Sequence, residues 1–182
     1  DRLVEEKGHR YEILTAAGDK AFSSGLDLKE AAPLLTGGDT LGFDDTTKRQ
    51  FSDVFKPIIC AVNGFCIAGG MEMLLGTDLR IASEHATFGL GEVRWGLVPL
   101  GGTHVRLPRQ IPWAIAMQLL LTGKPIDARR AFEVGLINLK AGDKDTDYAC
   151  NDLYQKLERA GISVLLDDTD EPYQSTLGAV FL

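Results

Sequence analysis

An α/β fold is predicted by three features of this 182-residue sequence. Short apolar segments alternate along the chain with segments whose apolar residues recur at helical spacing. Glycines stand between many of these segments, where turns are expected. Hydrophobic residues make up 45% of the chain, which is enough to form a sizeable core in one domain.

The elements predicted before residue 100 alternate between strand and helix. The strands at 57–62 and 79–82 are short and apolar, as strands buried on both faces are. In chain order we expect a strand at 11–15, a turn at 16–19, a loop at 22–28 that enters a helix near Lys29, a connector at 36–45, a helix at 48–55, the strand at 57–62, a helix at 69–75, the strand at 79–82, and a short strand with its turn at 86–89.

Beyond residue 100 the pattern predicts helices at 115–122 and 128–134, the second closed by Gly135. After Asn138 the sequence becomes more polar, and a helix at 148–160 and a strand at 162–166 are expected. The acidic residues at 167–171 are most simply a solvated turn, because they lack the spacing of a calcium-binding loop.

The composition opposes several functions. A formal net charge of −7 argues against nucleic-acid binding, which relies on clustered Lys and Arg. The three cysteines, Cys60, Cys66 and Cys150, have neither the spacing of a zinc site nor the pattern of a disulfide framework. No apolar segment reaches membrane-spanning length, and the charged first residues lack the apolar core of a signal peptide. We therefore expect a cytoplasmic protein without a metal site.

Two glutamates beside glycines are the candidate catalytic residues. Glu72 follows Gly69-Gly70-Met71 at the start of a predicted helix, and Glu92 follows Gly89-Leu90-Gly91. Carboxylates can exchange protons with a substrate, and backbone N–H groups beside glycines can stabilise an oxyanion. Two other roles stay open: the carboxylate of Glu72 could only complement the helix dipole, and Gly69-Gly70 could only permit close packing.

Six sequence blocks between residues 11 and 138 carry a family pattern. They are 21–29 (AFSSGLDLK), 61–72 (AVNGFCIAGGME), 77–82 (TDLRIA), 86–92 (ATFGLGE), 96–103 (GLVPLGGT), and 121–138, which begins LTGK and ends GLIN. In this order they resemble the crotonase (enoyl-CoA hydratase/isomerase) superfamily.

The resemblance implies a spiral of β-β-α turns that binds an acyl-CoA. It places the backbone N–H groups of Leu26 and Gly69 in an oxyanion hole for the thioester oxygen. It makes Glu72 and Glu92 the paired acid and base that hold one water. Leu28 and Lys29 would contact CoA, although Lys29 could equally be a solvated helix lysine. The implied reaction is hydration of a trans-2-enoyl-CoA, with no cofactor beyond the substrate's CoA, in a trimer or hexamer.

Both ends of the sequence depart from the family pattern. The crotonase-like core at 1–138 is predicted to be shortened at its N-terminus, since only about ten residues precede the strand at 11–15. Residues 137–172 resemble a fragment of the anticodon-binding domain of prolyl-tRNA synthetases, so 139–182 is predicted to be an atypical helix–strand extension. The alternatives are a chimeric or structural protein with an incomplete, inactive site, or a tRNA-binding module, which the net charge disfavours.

Overall fold

A computed structural model describes residues 12–18, 20–27, 51, 54–99 and 101–141. In chain order the strands are β1 (Glu12–Leu14), β2 (Ala21–Ser23), β3 (Ile58–Val62), β4 (Phe65–Ile67), β5 (Leu79–Ser83), β6 (Thr87–Gly89), β7 (Ile126–Asp127) and β8 (Leu139–Ala141). The helices are α1 (Gly69–Leu74), α2 (Thr103–Gln110), α3 (Trp113–Thr122) and α4 (Ala128–Glu133), with a 3₁₀ helix at Glu92–Trp95.

The first sheet is parallel throughout and has the strand order β1-β3-β5-β8. Every residue of its central strand β3 is buried, in keeping with the uninterrupted apolar sequence there. In the register of this sheet Ile59 lies opposite Leu79, and Ile81 lies opposite Leu139.

The second sheet has the order β2-β4-β6-β7. Strands β2, β4 and β6 are parallel, and β7 pairs antiparallel with β6 at the edge. The parallel arrangement brings the carboxyl ends of β2, β4 and β6 to one edge of the sheet. The segments that follow these three ends carry Leu26, Gly69 and Glu92.

Local sequence explains where several helices begin and end. The side chain of Asp127 accepts a 2.7 Å hydrogen bond from the N–H of Arg130 and so caps the start of α4. Helix α3 ends at Gly123, whose φ of 60° lies in the left-handed region that glycine tolerates.

Among the described residues, one cluster of buried side chains joins both sheets and the four helices. Its largest members include Phe88, Met71, Leu74, Leu107 and Leu119, each at most 1% exposed. Burying one such side chain contributes about 1.5–3 kcal/mol, so this cluster is the main stabilising element of the described residues.

The buried Arg80 connects β5 to the segment that precedes β8. Its guanidinium donates hydrogen bonds to the backbone oxygens of Leu136 and Thr77 at 3.1 and 3.0 Å. Asn138 adds two backbone links, because its Oδ1 accepts from the N–H of Arg80 and its own N–H donates to the Arg80 oxygen, each at 2.8 Å. These bonds guide the chain from α4 into the first sheet.

Most predicted elements are confirmed. The strands expected at 11–15, 57–62, 79–82 and 86–89 correspond to β1, β3, β5 and β6, and the helices expected at 69–75, 115–122 and 128–134 correspond to α1, α3 and α4. The predicted connector at 36–45, helix at 148–160 and strand at 162–166 lie outside the described residues.

Two local predictions were wrong. Residues 22 and 23, expected in a loop, belong to β2, because pairing with β4 holds them in a strand. Residues 51, 54 and 55 are not helical, and Phe51 has a φ of 63°, which is incompatible with the helix predicted at 48–55.

Besides β2, five elements of the described residues were not predicted: β4, β7, β8, the 3₁₀ helix and α2. Of these, β8 lies at 139–141 and pairs with β5, so the first sheet continues three residues past the boundary predicted after residue 138. The division into a core and an extension otherwise concerns residues outside the described part and stays a prediction.

Candidate active site

Two backbone segments meet at the carboxyl edge of the second sheet, where ligands commonly bind in sheets of parallel strands. One segment is Gly25-Leu26 after β2, and the other is Ala68-Gly69 between β4 and α1. A Cβ built on Gly25 would lie 2.9 Å from the nitrogen of Gly69, and one built on Gly69 would lie 3.7 Å from the nitrogen of Leu26. The two predicted oxyanion donors therefore belong to touching segments.

Backbone conformation at this junction is unusual. Gly25 has a φ of 90°, which glycine adopts readily, but Ala68 has a φ of 51° and a ψ of −118°. A residue with a Cβ in such a conformation costs about 1–3 kcal/mol, and strain of this kind collects at functional sites. The N–H of Ala68 donates to the oxygen of Gly89 at 3.0 Å, which ties the strained residue to β6.

The N–H groups of Leu26 and Gly69 donate no hydrogen bond to any described residue. Gly69 is the first residue of α1, where helix geometry leaves N–H groups without an internal acceptor. Donors of this kind can stabilise negative charge on a carbonyl oxygen.

Glu72 lies one turn into α1 and reaches the segment before α2. Its Oε1 accepts a hydrogen bond of 2.6 Å from the N–H of Gly101 and one of 3.4 Å from the hydroxyl of Thr103. Burial raises the pKa of Glu72, whereas the hydrogen bonds from Gly101 and Thr103 and the positive charge of Arg106 act in the opposite direction.

Glu92 begins the 3₁₀ helix and is half-buried. Burial raises the pKa of Glu92, and the negative charge of Glu72 raises it further. Its Oε2 is buried and has no hydrogen-bond partner among the described residues. Buried polar atoms are rarely left without a partner, so this oxygen is available to a ligand or water.

The fold thus brings together four of the six predicted site residues: Leu26 with Gly69, and Glu72 with Glu92. Leu28 and Lys29, the predicted CoA contacts, lie outside the described residues. The catalytic roles themselves stay predictions.

Three residues near Glu72 were missed as site residues: Gly101, Thr103 and Arg106. The sequence did contain a signal for this segment, which is a glycine pair at the start of a helix. Gly101-Gly102 precedes Thr103 as Gly69-Gly70 precedes Glu72. The contact with Glu72 spans 29 positions and was not readable from local spacing.

A family model described as enoyl-CoA hydratase/isomerase matches residues 2–167. The chain belongs to this family. The predicted crotonase resemblance is thereby confirmed, and the match runs well beyond the six blocks on which it was based.

Relatives named as hydratases and dehydratases support the assignment. An enoyl-CoA hydratase of Mycobacterium tuberculosis is 45% identical over 143 residues, which are 75% of this chain and 53% of that protein. The (E)-benzylidenesuccinyl-CoA hydratase of Thauera aromatica is 44% identical over 139 residues, 75% of this chain and 54% of that protein. A carnitinyl-CoA dehydratase of Citrobacter koseri is 37% identical over 152 residues, 81% of this chain and 57% of that protein.

Solved structures confirm the predicted fold class, an α/β crotonase-like fold. A carnitinyl-CoA dehydratase from Mycobacterium avium aligns with a TM-score of 0.74 and 36% identity, covering 87% of this chain and 62% of that one. An enoyl-CoA hydratase from Mycobacterium tuberculosis aligns with a TM-score of 0.72 and 40% identity, covering 87% and 61%. The chain spans little more than half the length of these curated relatives and about three fifths of these solved chains.

Within the described residues, no helix has the length and apolar character needed to cross a membrane. Nor do these residues bring three or more His, Cys, Asp or Glu side chains together as a possible metal site.

Proposed function

We propose that this chain is an enoyl-CoA hydratase-type lyase that adds water to the double bond of a trans-2-enoyl-CoA. The proposal rests on the pairing of two carboxyl groups, since the charge of Glu72 raises the pKa of Glu92. In addition, the buried Oε2 of Glu92 has no hydrogen-bond partner among the described residues. A water held between the two carboxyl groups would satisfy that oxygen and supply the reactant.

Burial raises the pKa of both glutamates, but their other surroundings differ. Glu72 accepts hydrogen bonds from Gly101 and Thr103 and faces the guanidinium of Arg106, all of which favour its ionised form. Glu92 faces the charge of Glu72, which favours its protonated form. Two neighbouring carboxyl groups whose environments differ in this way can serve as a base and an acid.

We therefore assign the base to Glu72 and the acid to Glu92. Glu72 takes a proton from the water as its oxygen bonds to the β-carbon, and the electron pair of the double bond moves toward the thioester. Glu92 gives its proton to the α-carbon. The hydroxyl on the β-carbon and the hydrogen on the α-carbon together account for one water, and the glutamates have exchanged protonation states.

The N–H groups of Leu26 and Gly69 are proposed to hold the thioester oxygen while negative charge develops on it. Their segments touch, and neither group donates to another described residue. Removing one donor from a comparable oxyanion hole costs about 3–4 kcal/mol of transition-state stabilisation.

The names of the relatives indicate both addition of water and removal of water. Hydratases add water and carnitinyl-CoA dehydratase removes it, and all three names contain a CoA thioester. Because the elimination is the reverse of the addition, Glu72 and Glu92 would exchange roles in a dehydration. Dehydration of a 3-hydroxyacyl-CoA is thus the second candidate function.

Several finer features are part of the same proposal. Leu28 and Lys29 would contact the CoA, and no cofactor beyond the substrate's own CoA is required by the proton transfers. Assembly into a trimer or hexamer and a cytoplasmic location also stay predictions. Equilibrium sedimentation of the purified chain would measure the assembly.

The extent of the family match bears on the alternatives of a chimeric protein and a tRNA-binding module. The family match reaches residue 167 and so covers most of the segment 137–172 that resembles a prolyl-tRNA synthetase fragment. This coverage favours a crotonase origin for that segment over a tRNA-binding role.

Hydration of crotonyl-CoA by the purified chain tests the proposal. We expect loss of the enoyl-thioester absorbance and formation of 3-hydroxybutyryl-CoA, identified by mass spectrometry with one oxygen from labelled water. Binding of crotonyl-CoA without turnover would support the inactive alternative, and salt-sensitive binding of labelled tRNA would support the tRNA-binding module.

A further inference from the structure

The hydroxyl of Thr103 is buried against the carboxylate of Glu72. Thr103 is 0% exposed and is the first residue of α2. Its Oγ1 lies 3.4 Å from Oε1 of Glu72, which is long for a hydrogen bond between oxygens. Hydrogen bonds at catalytic groups are often long in a ligand-free protein and shorten when substrate binds.

Two donors converge on a single carboxylate oxygen. The N–H of Gly101 and the hydroxyl of Thr103 both point to Oε1, whereas Oε2 receives no hydrogen bond from a described residue. This arrangement fixes the orientation of the carboxylate and leaves one oxygen for the proposed water.

The turn that carries both donors is itself held in place. His104 Nδ1 lies 3.1 Å from the oxygen of Pro99, and Arg106 donates a 3.3 Å hydrogen bond to the oxygen of Gly101. Gly102, between the two donors, has a φ of 88°, so the chain bends sharply there. The next turn of α2 is anchored by the fully buried Leu107.

We propose that Thr103 is a positioning residue for the hydration reaction: with the N–H of Gly101 it holds Oε1 of Glu72, so that Oε2 faces the water. The inference rests on the proposed function of Glu72 as the base. Thr103 does not touch the reacting atoms and acts through Glu72.

The electrostatic surroundings agree with this role. Two titratable groups face Glu72 from α2: the guanidinium of Arg106, which favours the ionised form of Glu72, and the imidazole of His104. From the 3₁₀ helix Glu92 is also electrostatically coupled to Glu72. The Thr103 hydroxyl also favours the ionised form, so its removal raises the pKa of Glu72.

The variant Thr103→Val tests the inference, because valine keeps the branched shape and removes the hydroxyl. Thr103→Ser restores the hydroxyl. Thr77→Val is the matched control: Thr77 is also buried, but its hydroxyl donates to the backbone oxygen of Leu74 at 2.7 Å. Two measurements are made on each protein: the pH profile of kcat for crotonyl-CoA hydration, and the titration of the Glu72 side-chain carbon by NMR, assigned with Glu72→Gln.

In Thr103→Val we expect kcat to fall roughly threefold to tenfold, the effect of losing one modest hydrogen bond. The NMR midpoint of Glu72 should rise, and the acidic limb of the pH profile should move with it. Thr103→Ser should restore both, and Thr77→Val should change neither, whatever it does to stability.

The NMR titration separates this inference from the proposed function, since it requires no turnover. A wild-type protein without activity would refute the hydratase proposal, while a raised Glu72 midpoint in Thr103→Val would still support the contact. An unchanged midpoint in Thr103→Val overturns the inference even if the protein is active. If Thr103→Val does not fold, Thr103→Ala and Thr103→Ser are compared by the same titration, and equal midpoints overturn it.

Discussion

Gly101 donates its N–H to Oε1 of Glu72 at 2.6 Å and lies so close to that carboxylate that a side chain at position 101 would displace it. A Cβ built there would be 2.5 Å from Oε2 and 2.7 Å from the carboxylate carbon of Glu72. The φ of Gly101 is not in the left-handed region, so the backbone itself would accept alanine. Glycine at position 101 leaves the Glu72 carboxylate in place, because that carboxylate occupies the space of a side chain.

Gly101→Ala should therefore displace the Glu72 carboxylate without unfolding the protein. Moving a catalytic group by about 1 Å can cost roughly 100-fold in rate, and we expect a loss of that order in kcat for crotonyl-CoA hydration. The matched control is Gly91→Ala, since a Cβ at Gly91 meets no atom within 4 Å and its φ is −82°. Equal activity of both variants would show that Gly101 has no part in holding Glu72.

Glu72→Gln and Glu92→Gln should each lower kcat by about 100-fold to 10,000-fold, since each keeps the size of the side chain and removes a proton-transfer group. The control is Glu133→Gln, a surface carboxylate on α4 that contacts Arg129 and Arg130. Steady-state kinetics on variants with native circular dichroism measure the effect. Full activity in either site variant contradicts the two-carboxylate mechanism.

The stability of Glu92→Gln relative to the wild type should depend on pH in a defined direction. Burial and the charge of Glu72 raise the pKa of Glu92 in the folded protein. Its contribution to stability is therefore fully present below the pKa of the unfolded chain and is lost as the pH rises through the folded pKa. Glutamine does not titrate, so the Tm of the variant minus that of the wild type should become more positive as the pH rises from about 4.

Thermal melts of both proteins at a series of pH values measure that difference. A Tm difference that stays constant or becomes more negative with rising pH would mean that Glu92 is no more costly to ionise in the folded protein than in the unfolded chain.

Gly69→Pro should abolish turnover because proline removes the N–H proposed as an oxyanion donor. Gly69→Ala keeps the N–H, and both variants place a Cβ about 3.3 Å from the Cα of Gly25. The ratio of their kcat/KM values thus compares a chain that keeps the donor with one that lacks it, and we expect the proline variant to be at least about 100-fold to 1,000-fold slower. Circular dichroism must show that both are folded; similar rates in folded variants would exclude Gly69 from the oxyanion hole.

The sequence by itself determined the elements whose signals are local. Strand β3 is an unbroken apolar segment, and every one of its residues is buried, so composition alone identified it. Helix α4 was readable from its apolar spacing and the glycine that follows it, and Gly135 indeed has a left-handed φ of 78°. The same holds for Glu72 and Glu92 as candidates, because the glycines that mark them are their sequence neighbours.

Elements without a local signal depended on tertiary structure. Strand β2 has only three residues and exists because β4 pairs with it. Helix α2 contains Pro108, which removes one backbone hydrogen bond and weakens any helix prediction, and its packing against α3 and the core compensates.

Only the tertiary structure decided how the two carboxylates differ. Glu72 and Gly101 are 29 positions apart, and their hydrogen bond exists because α1 and the segment before α2 meet in space. The pKa of Glu92 likewise depends on how deeply it is buried and on the charge of Glu72, which no spacing along the chain reveals. Solvation and Coulomb forces depend on distances in space, so the sequence could name the two glutamates as candidates, but only the fold shows how their surroundings differ.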